Sequence, residues 1–181
     1  GAGKDYKSVF AVILGTGVGA GYSINKEIIV GPNKLTGEWG QNPIPGPMDD
    51  YEKSVKRHCG RIGAIEVFLS GPGLENYYEF ISKAKKTSRE IVSLYQEADP
   101  VAIDVMNVYF ERIARAFSSF VNILDPDVIV CGGGMSEIDD IYNEIPKRII
   151  PYIASNFFLT PIIKATHGSS SGVRGAAHLW N

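Results

Sequence analysis

Apolar positions crowd the stretch SVFAVIL at 8–14, with no polar residue after Ser8. Such a run suits a strand buried on both faces. It ends in GTGVGAG (15–21), where a dinucleotide-binding unit would open a helix. Residues 21–30 (GYSINKEIIV) read instead as two short strands joined at Asn25-Lys26, so the dinucleotide fingerprint fails and the glycine run belongs to a hairpin. Residues 31–63, rich in Gly, Pro, Asn and charge, hold neither a period of 2 nor one of 3.6. A long irregular segment within a compact chain is a place to look for ligand contacts.

Helical spacing then takes over. Residues 65–69 continue past the Ser70-Gly71-Pro72-Gly73 break into 74–82, and the capping box Thr87…Glu90 opens a short helix that runs to Glu97. Asp99 and Pro100 start a long one, whose stripe Val105, Tyr109, Ile113, Ala116, Phe120 and Ile123 stops at Asp125-Pro126. VIVC (128–131) predicts a short buried strand and Gly132-Gly133-Gly134 a turn. Ser136…Asp139 predicts a capping box opening a helix toward Ile153, kinked or split at Pro146. A last strand over 161–166, a loop over 168–172 and a closing helix over 173–180 complete the chain. The predicted order is β-β-β-α-α-β-α-β-α, an α/β fold with a mixed sheet. Three consecutive strands followed by alternating helix and strand match the ribonuclease-H-like unit that actin and the hexose kinases contain twice; one copy is present here.

Composition narrows the function classes. With 181 residues, 44% hydrophobic and 21% charged, the chain can bury roughly 70% of its unfolded surface in one core, so one domain over 1–181 is expected. A net charge of −2 with scattered Lys and Arg gives no field for nucleic acid or anionic lipid. Cys59 and Cys131 are the only cysteines, and no 18-residue apolar run or signal peptide is seen. The expectation is a cytoplasmic protein that binds neither nucleic acid nor membrane. Its glycine motifs have two readings: glycines after a buried strand let backbone N–H groups converge on an anion, and they also permit tight turns. Two of them at the ends of adjacent strands favour a ligand, which in such sheets binds beyond the strand carboxyl ends.

VNILDPDVIVCGGGMS (121–136), GTGVGAG (15–21), GEWGQNPIP (37–45) and HGSSSGVRGAAHLW (167–180) resemble the ROK family of sugar kinases, its bacterial fructokinase branch in particular. The resemblance covers essentially the whole chain. It implies two domains around a cleft, this chain being the carboxyl-terminal one. It also implies that the amino-terminal half, with an Asp-Gly-Gly-Thr phosphate loop and the catalytic Asp, is absent, so no catalytic residue is assigned within 1–181. ATP with Mg²⁺ is implied as phosphoryl donor. Gly15, Thr16 and Gly17 would meet phosphate oxygens, and Gly132, Gly133, Gly134 and Met135 would flank the adenosine, although Met135 reads equally well as a packing residue. Glu38, Gln41 and Glu66 are implied on the sugar side. Without the resemblance Glu38 is a plain loop charge and Glu66 a carboxylate favoured by a helix N-terminus. A homodimer is implied as well, and a separate amino-terminal half is a conceivable partner.

The family's structural zinc site takes a His and three Cys. Here Gln41 stands at the His position, Arg57 at the first Cys, Cys59 keeps the second, and Ala64 stands at the third. His58, adjacent in a tight loop, is a poor substitute, so zinc is expected to be absent and residues 31–63 form a degenerate zinc and sugar loop. Two functions stay open: the carboxyl-terminal half of an ATP-dependent hexose kinase, inactive alone, or a non-catalytic remnant that binds nucleotide, sugar or a partner.

Overall fold

Turn chemistry sets the first hairpin. Asn25 and Lys26 both take positive φ, 53° and 69°, the conformation of a two-residue turn whose twist matches that of its strands. It joins β2 (Val18–Ile24) to the two-residue β3 (Glu27–Ile28). β1 (Ser8–Leu14), β4 (Val128–Gly132) and β5 (Ile162–Lys164) complete one sheet in the order β3-β2-β1-β4-β5. The β1–β2 and β2–β3 pairs are antiparallel, while β1–β4 and β4–β5 are parallel. This computed structural model describes residues 1–57, 59–170 and 177. The mixed sheet predicted from the sequence is therefore present. The closing helix over 173–180 lies outside the described residues except at Ala177.

β2 starts earlier than expected and takes in Gly19, Ala20 and Gly21, so only residues 15–17 form the turn. β1 is also not buried on both faces. Phe10, Val12 and Leu14 face the core, whereas Ile13 on the opposite face is 37% exposed. β4 is the strand buried throughout.

Among the described residues five helices separate β3 from β4: α1 (Asp50–Ser54), α2 (Glu66–Leu69), α3 (Gly71–Ser82), α4 (Ser88–Gln96) and α5 (Pro100–Leu124). The helices expected over 65–82, up to Glu97 and from Pro100 are there, more than the two that the predicted order counts, and α1 adds a short one inside the segment expected to be irregular. The Ser70 hydroxyl accepts from Gly73 N at 3.2 Å, so α3 begins at Gly71, inside the expected break. The Thr87–Glu90 capping box and the Asp99 cap form as predicted. Four of the stripe residues on α5 lie at 1% exposure or less, and Phe120 stacks on Phe10 with ring centroids 4.0 Å apart. Ile123, expected in that stripe, is 79% exposed, while Val121 and Leu124 of the same turn pack on the core.

The predicted capping box at Ser136 does not form. Ser136 is buried, its hydroxyl donates back to Gly133 O at 2.7 Å within a 3-10 turn, Gly134–Glu137, and α6 (Asp140–Arg148) starts after it. Pro146 sits inside α6 without splitting it. The helix instead ends before Pro151, which has no N–H to continue the ladder and lies in a 3-10 turn, Ile150–Tyr152.

Candidate functional site

The parallel pairing of β1 with β4 sets Ile13 opposite Gly132, and so brings the turns that follow the two strands to one edge of the sheet. Gly133 has φ +90°, and a Cβ there would lie 2.3 Å from Leu14 O, so only glycine lets the second turn close against the first strand. Gly132 is less crowded, a Cβ there lying 3.2 Å from the end of the Ile13 side chain. At Gly15 and Gly134 an added Cβ would meet nothing within 4 Å. Packing does not require glycine at those two positions, and their bareness leaves main chain open to a ligand. The Gly15 amide is not free, since it donates to Gly17 O at 3.0 Å and closes its own turn. Among the described residues no main-chain acceptor meets the amides of Thr16 and Gly17, and Thr16 is exposed. Met135 is 5% exposed, with its sulfur 3.6 Å from where a Gly71 Cβ would be; it is a packing residue between the turns and α3. Gly71 N donates to Gly15 O at 2.8 Å, so α3 begins against the first turn.

The proposed sugar-side residues meet the same short piece of β2. Glu38 and Gln41 lie in a 3-10 turn, Glu38–Gln41, that presses on the strand: a Cβ on Gly37 would fall 1.8 Å from Ala20 O, and one on Gly40 would fall 2.3 Å from Val18 O. Ala20 N donates to Gly37 O at 2.8 Å. Trp39 anchors this turn in the core, edge-on to Phe10, Phe117 and Phe120. Glu38 is left exposed and Gln41 half-buried. Glu66, at the start of α2, accepts from Val18 N through Oε2 at 3.2 Å and from Arg57 Nε through Oε1 at 3.0 Å. The carboxylate therefore bridges the glycine turn and the loop around Cys59.

That loop is a closed hairpin. Lys56 bridges Ile62, Arg57 N donates to Arg61 O and Gly60 N to Arg57 O, both at 2.8 Å. The Arg57 guanidinium also reaches Cys59 Sγ at 3.9 Å. The Arg61 amide, helped by Arg57, holds the Cys59 thiol below its ordinary range, while burial pushes Cys131 up to about 12. The donor set does not fit zinc: Ala64 has no donor atom, the Arg57 cation faces Glu66, and among the described residues no three His, Cys, Asp or Glu side chains are grouped to hold a metal. His58 lies outside the described residues.

A charged cluster missed in the sequence fixes the segment between the Glu38 turn and this hairpin. Arg112 and Arg115 on α5 are 2% and 8% exposed, and Glu52 of α1 is 1% exposed. Arg112 Nε donates to Glu52 Oε1 at 2.8 Å and its Nη2 to Asp49 Oδ2 at 3.2 Å, with the guanidinium 4.1 Å from the Tyr77 ring centroid. Arg115 binds both Glu52 oxygens and the carbonyls of Pro45 and Pro47. Arg112 follows Tyr109 by three residues, within the apolar stripe of α5. A cation at such a position was the available sign of a buried partner.

A sequence profile of the ROK family matches residues 1–181. An N-acetyl-D-glucosamine kinase of Vibrio atlanticus (strain LGP32) is 38% identical over 180 residues, which cover 97% of this chain and 60% of that protein. Among solved structures, a ROK family glucokinase from Streptomyces griseus in complex with glucose and AMPPNP superposes with a TM-score of 0.86 at 22% identity, covering 99% of this chain and 62% of that one. A ROK hexokinase from Thermus thermophilus gives a TM-score of 0.81 at 23% identity, covering 96% and 57%. The chain thus spans about 60% of the length of the curated relatives it matches.

Proposed function

The chain belongs to the ROK family along its whole length, and on that premise we propose that it is the nucleotide- and sugar-holding part of an ATP-dependent hexose kinase. The observation that carries this reading is the Glu66 bridge: a carboxylate suited to sugar hydroxyls is bonded to the amide that follows the phosphate-type turn, so the two substrates would meet across one residue. The amides of Thr16 and Gly17 and the Thr16 hydroxyl hold phosphate oxygens, and the bare edge at Gly134 admits the nucleoside. Mg²⁺ arrives with ATP and supplies charge neutralisation at the transferring phosphoryl group. Glu66, Glu38 and Gln41 bind and orient the sugar. Because the S. griseus neighbour holds glucose and AMPPNP and the curated relatives are named for N-acetyl-D-glucosamine, N-acetyl-D-glucosamine and glucose are tested beside fructose.

Calorimetric titration of the chain with ATP–Mg²⁺ and with each sugar tests the reading. Measurable heats are expected with at least one sugar and with nucleotide, both weak because a cleft closed from one side buries less of each ligand. Heat with neither, at millimolar ligand, would overturn it. Fusion to the amino-terminal part of a related ROK kinase should then give ATP-dependent phosphorylation, and Glu66→Gln in the fusion should weaken sugar use.

The second reading, binding without phosphoryl transfer, is favoured by the loss of zinc donors at Gln41, Arg57 and Ala64. A fusion that folds and binds both ligands but transfers nothing would establish it. Under either reading we propose a cytoplasmic location and a homodimer, for which the exposed apolar residues Ile28, Ile29, Val30 and Leu35 offer a surface. Sedimentation as a monomer at tens of micromolar would refute the dimer.

A further inference from the structure

The Arg57–Glu66 pair can be taken further. The chain leading into Glu66 is fixed: Ile65 N donates to Asn42 O at 2.9 Å, Ala64 bridges Pro43, and Ile44 N donates to Gly63 O at 2.8 Å, while Glu66 O accepts from Ser70 N at 3.2 Å. Its side chain is held at both oxygens, by Arg57 on one and the Val18 amide on the other. Arg57 is equally fixed, since its own N–H and C=O both bond within the hairpin and Gly60, at φ +84°, closes the turn beside it. The ion pair is partly sheltered, with side-chain exposures of 18% for Arg57 and 24% for Glu66. From the opposite side the carboxylate is bounded by Gly17, where a Cβ would lie 3.0 Å from Oε2.

We propose that Arg57 is a positioning residue that clamps Glu66 against the glycine turn and aims its unused lone pairs at sugar hydroxyls. A carboxylate offers about four acceptor sites. Arg57 and Val18 take two, on different oxygens, and this leaves one on each oxygen. That residual pair is the pattern that two neighbouring hydroxyls require. An untethered Glu66 would have the same charge but would spread it over several rotamers, and it would lose geometry rather than chemistry. Clamping replaces rotamer freedom with a fixed bidentate acceptor. The inference rests on the proposed role of Glu66 in holding the sugar, whereas the tether itself can be tested without any sugar.

The Val18 amide reports on the clamp because its acceptor is Glu66 itself. In the 181-residue chain, amide hydrogen exchange is followed by NMR for wild type, Arg57→Ala, Arg57→Lys and Gly17→Ala, with the Val12 and Val130 amides as references for global stability. Exchange at Val18, relative to those references, should rise about tenfold in Arg57→Ala, the loss expected for a bond to a charged group. Arg57→Lys keeps the cation and should recover part of the protection. Gly17→Ala crowds the carboxylate from the other side and should also expose Val18. Chemical-shift titrations with N-acetyl-D-glucosamine, glucose and fructose are run on the same samples, and the best wild-type sugar should bind at least tenfold more weakly to Arg57→Ala, with partial rescue in Arg57→Lys. Unchanged Val18 exchange in Arg57→Ala overturns the clamp whatever the sugars do. Raised exchange with undiminished sugar affinity overturns its positioning role. Failure of the proposed function looks different, because the wild-type chain would bind none of the sugars while the exchange contrast persists.

Discussion

The two walls of the candidate site are built on opposite principles. At the ends of β1 and β4 the structure depends on atoms that are absent: Gly133 closes only because nothing stands between it and Leu14 O. In the strap from 31 to 63 it depends on charges that are present, with two arginines and two carboxylates fastening α1 to α5. The first wall is rigid because the main chain of a buried sheet has nowhere to go. The second is held by a few strong polar ties together with the core anchors Trp39, Ile44 and Tyr51. Adding atoms should break one wall, and removing charge should break the other.

The largest effect is expected at Gly133→Val. A β-branched side chain at φ +90°, driven into Leu14 O, combines backbone strain with overpacking and should cost about 4 kcal/mol or more. Urea denaturation measures it; a loss below about 1 kcal/mol would show that the turn is not pressed against the strand. Next comes Arg112→Ala, which leaves Glu52 buried with one cation fewer and should cost about 3 kcal/mol. Limited proteolysis should then cut first within 45–55, because the strap loosens before the sheet does. Cleavage elsewhere would mean that the cluster does not hold the strap.

The third expectation is alkaline sensitivity of the sheet wall. Cys131 ordinarily loses its proton near 9.0 but is held up to about 12 in the fold by burial. Between those values the folded state binds the extra proton. Its contribution is complete below pH 9 and falls as pH rises toward 12, by about 1 kcal/mol at pH 10. Burial raises Tyr109 as well, and the direction is the same. Melting at pH 8 and pH 10 tests this: Cys131→Ala should be less stable at pH 8 yet lose less between the two. An equal loss in both proteins would remove Cys131 as a cause. At the strap, Cys59 should react with iodoacetamide below the ordinary thiol range, while Cys131 stays inert in the folded chain. The smallest effect is a yardstick outside both walls: Thr87→Ala removes an N-cap and should cost about 1 kcal/mol while leaving ligand binding unchanged.

The glycine wall could be read in the sequence because its determinants are local. A β-rich run, a glycine turn and a cap are each spelled within a few residues: the turn after residue 14 begins where expected though it is shorter, and the one expected after 131 begins one residue later, since β4 runs to Gly132. The strap could not be read that way. The charged ties of its stretch from 45 to 52 come from partners 60 or more residues distant, such as Glu52 with Arg112 and Pro45 with Arg115, and no period announces them. The same limit explains two smaller misses. Ser136 and Asp139 have the spacing of a capping box, but the hydroxyl finds a nearer acceptor in Gly133 O. Arg57 stands out in the sequence as a lost metal donor. Only the folded hairpin shows its cation turned onto Glu66.

The parallel seam between β1 and β4 is latched at its start. Ser8 N donates to Asp127 Oδ2 at 2.8 Å and Asp127 N to Ser8 Oγ at 2.9 Å, across 119 residues of chain. During synthesis β1 leaves the ribosome with its hairpin partner but without the strand that becomes its parallel neighbour. At ordinary rates of translation that neighbour follows on the order of 10 s later. For that interval one edge of β1 is an unpaired apolar strand. Closure of so long a loop is also slow once the chain is complete. Refolding should therefore be limited by the β1–β4 seam rather than by α5. Asp127→Ala should slow refolding if the latch forms in the rate-limiting step, and should speed unfolding instead if it forms afterwards.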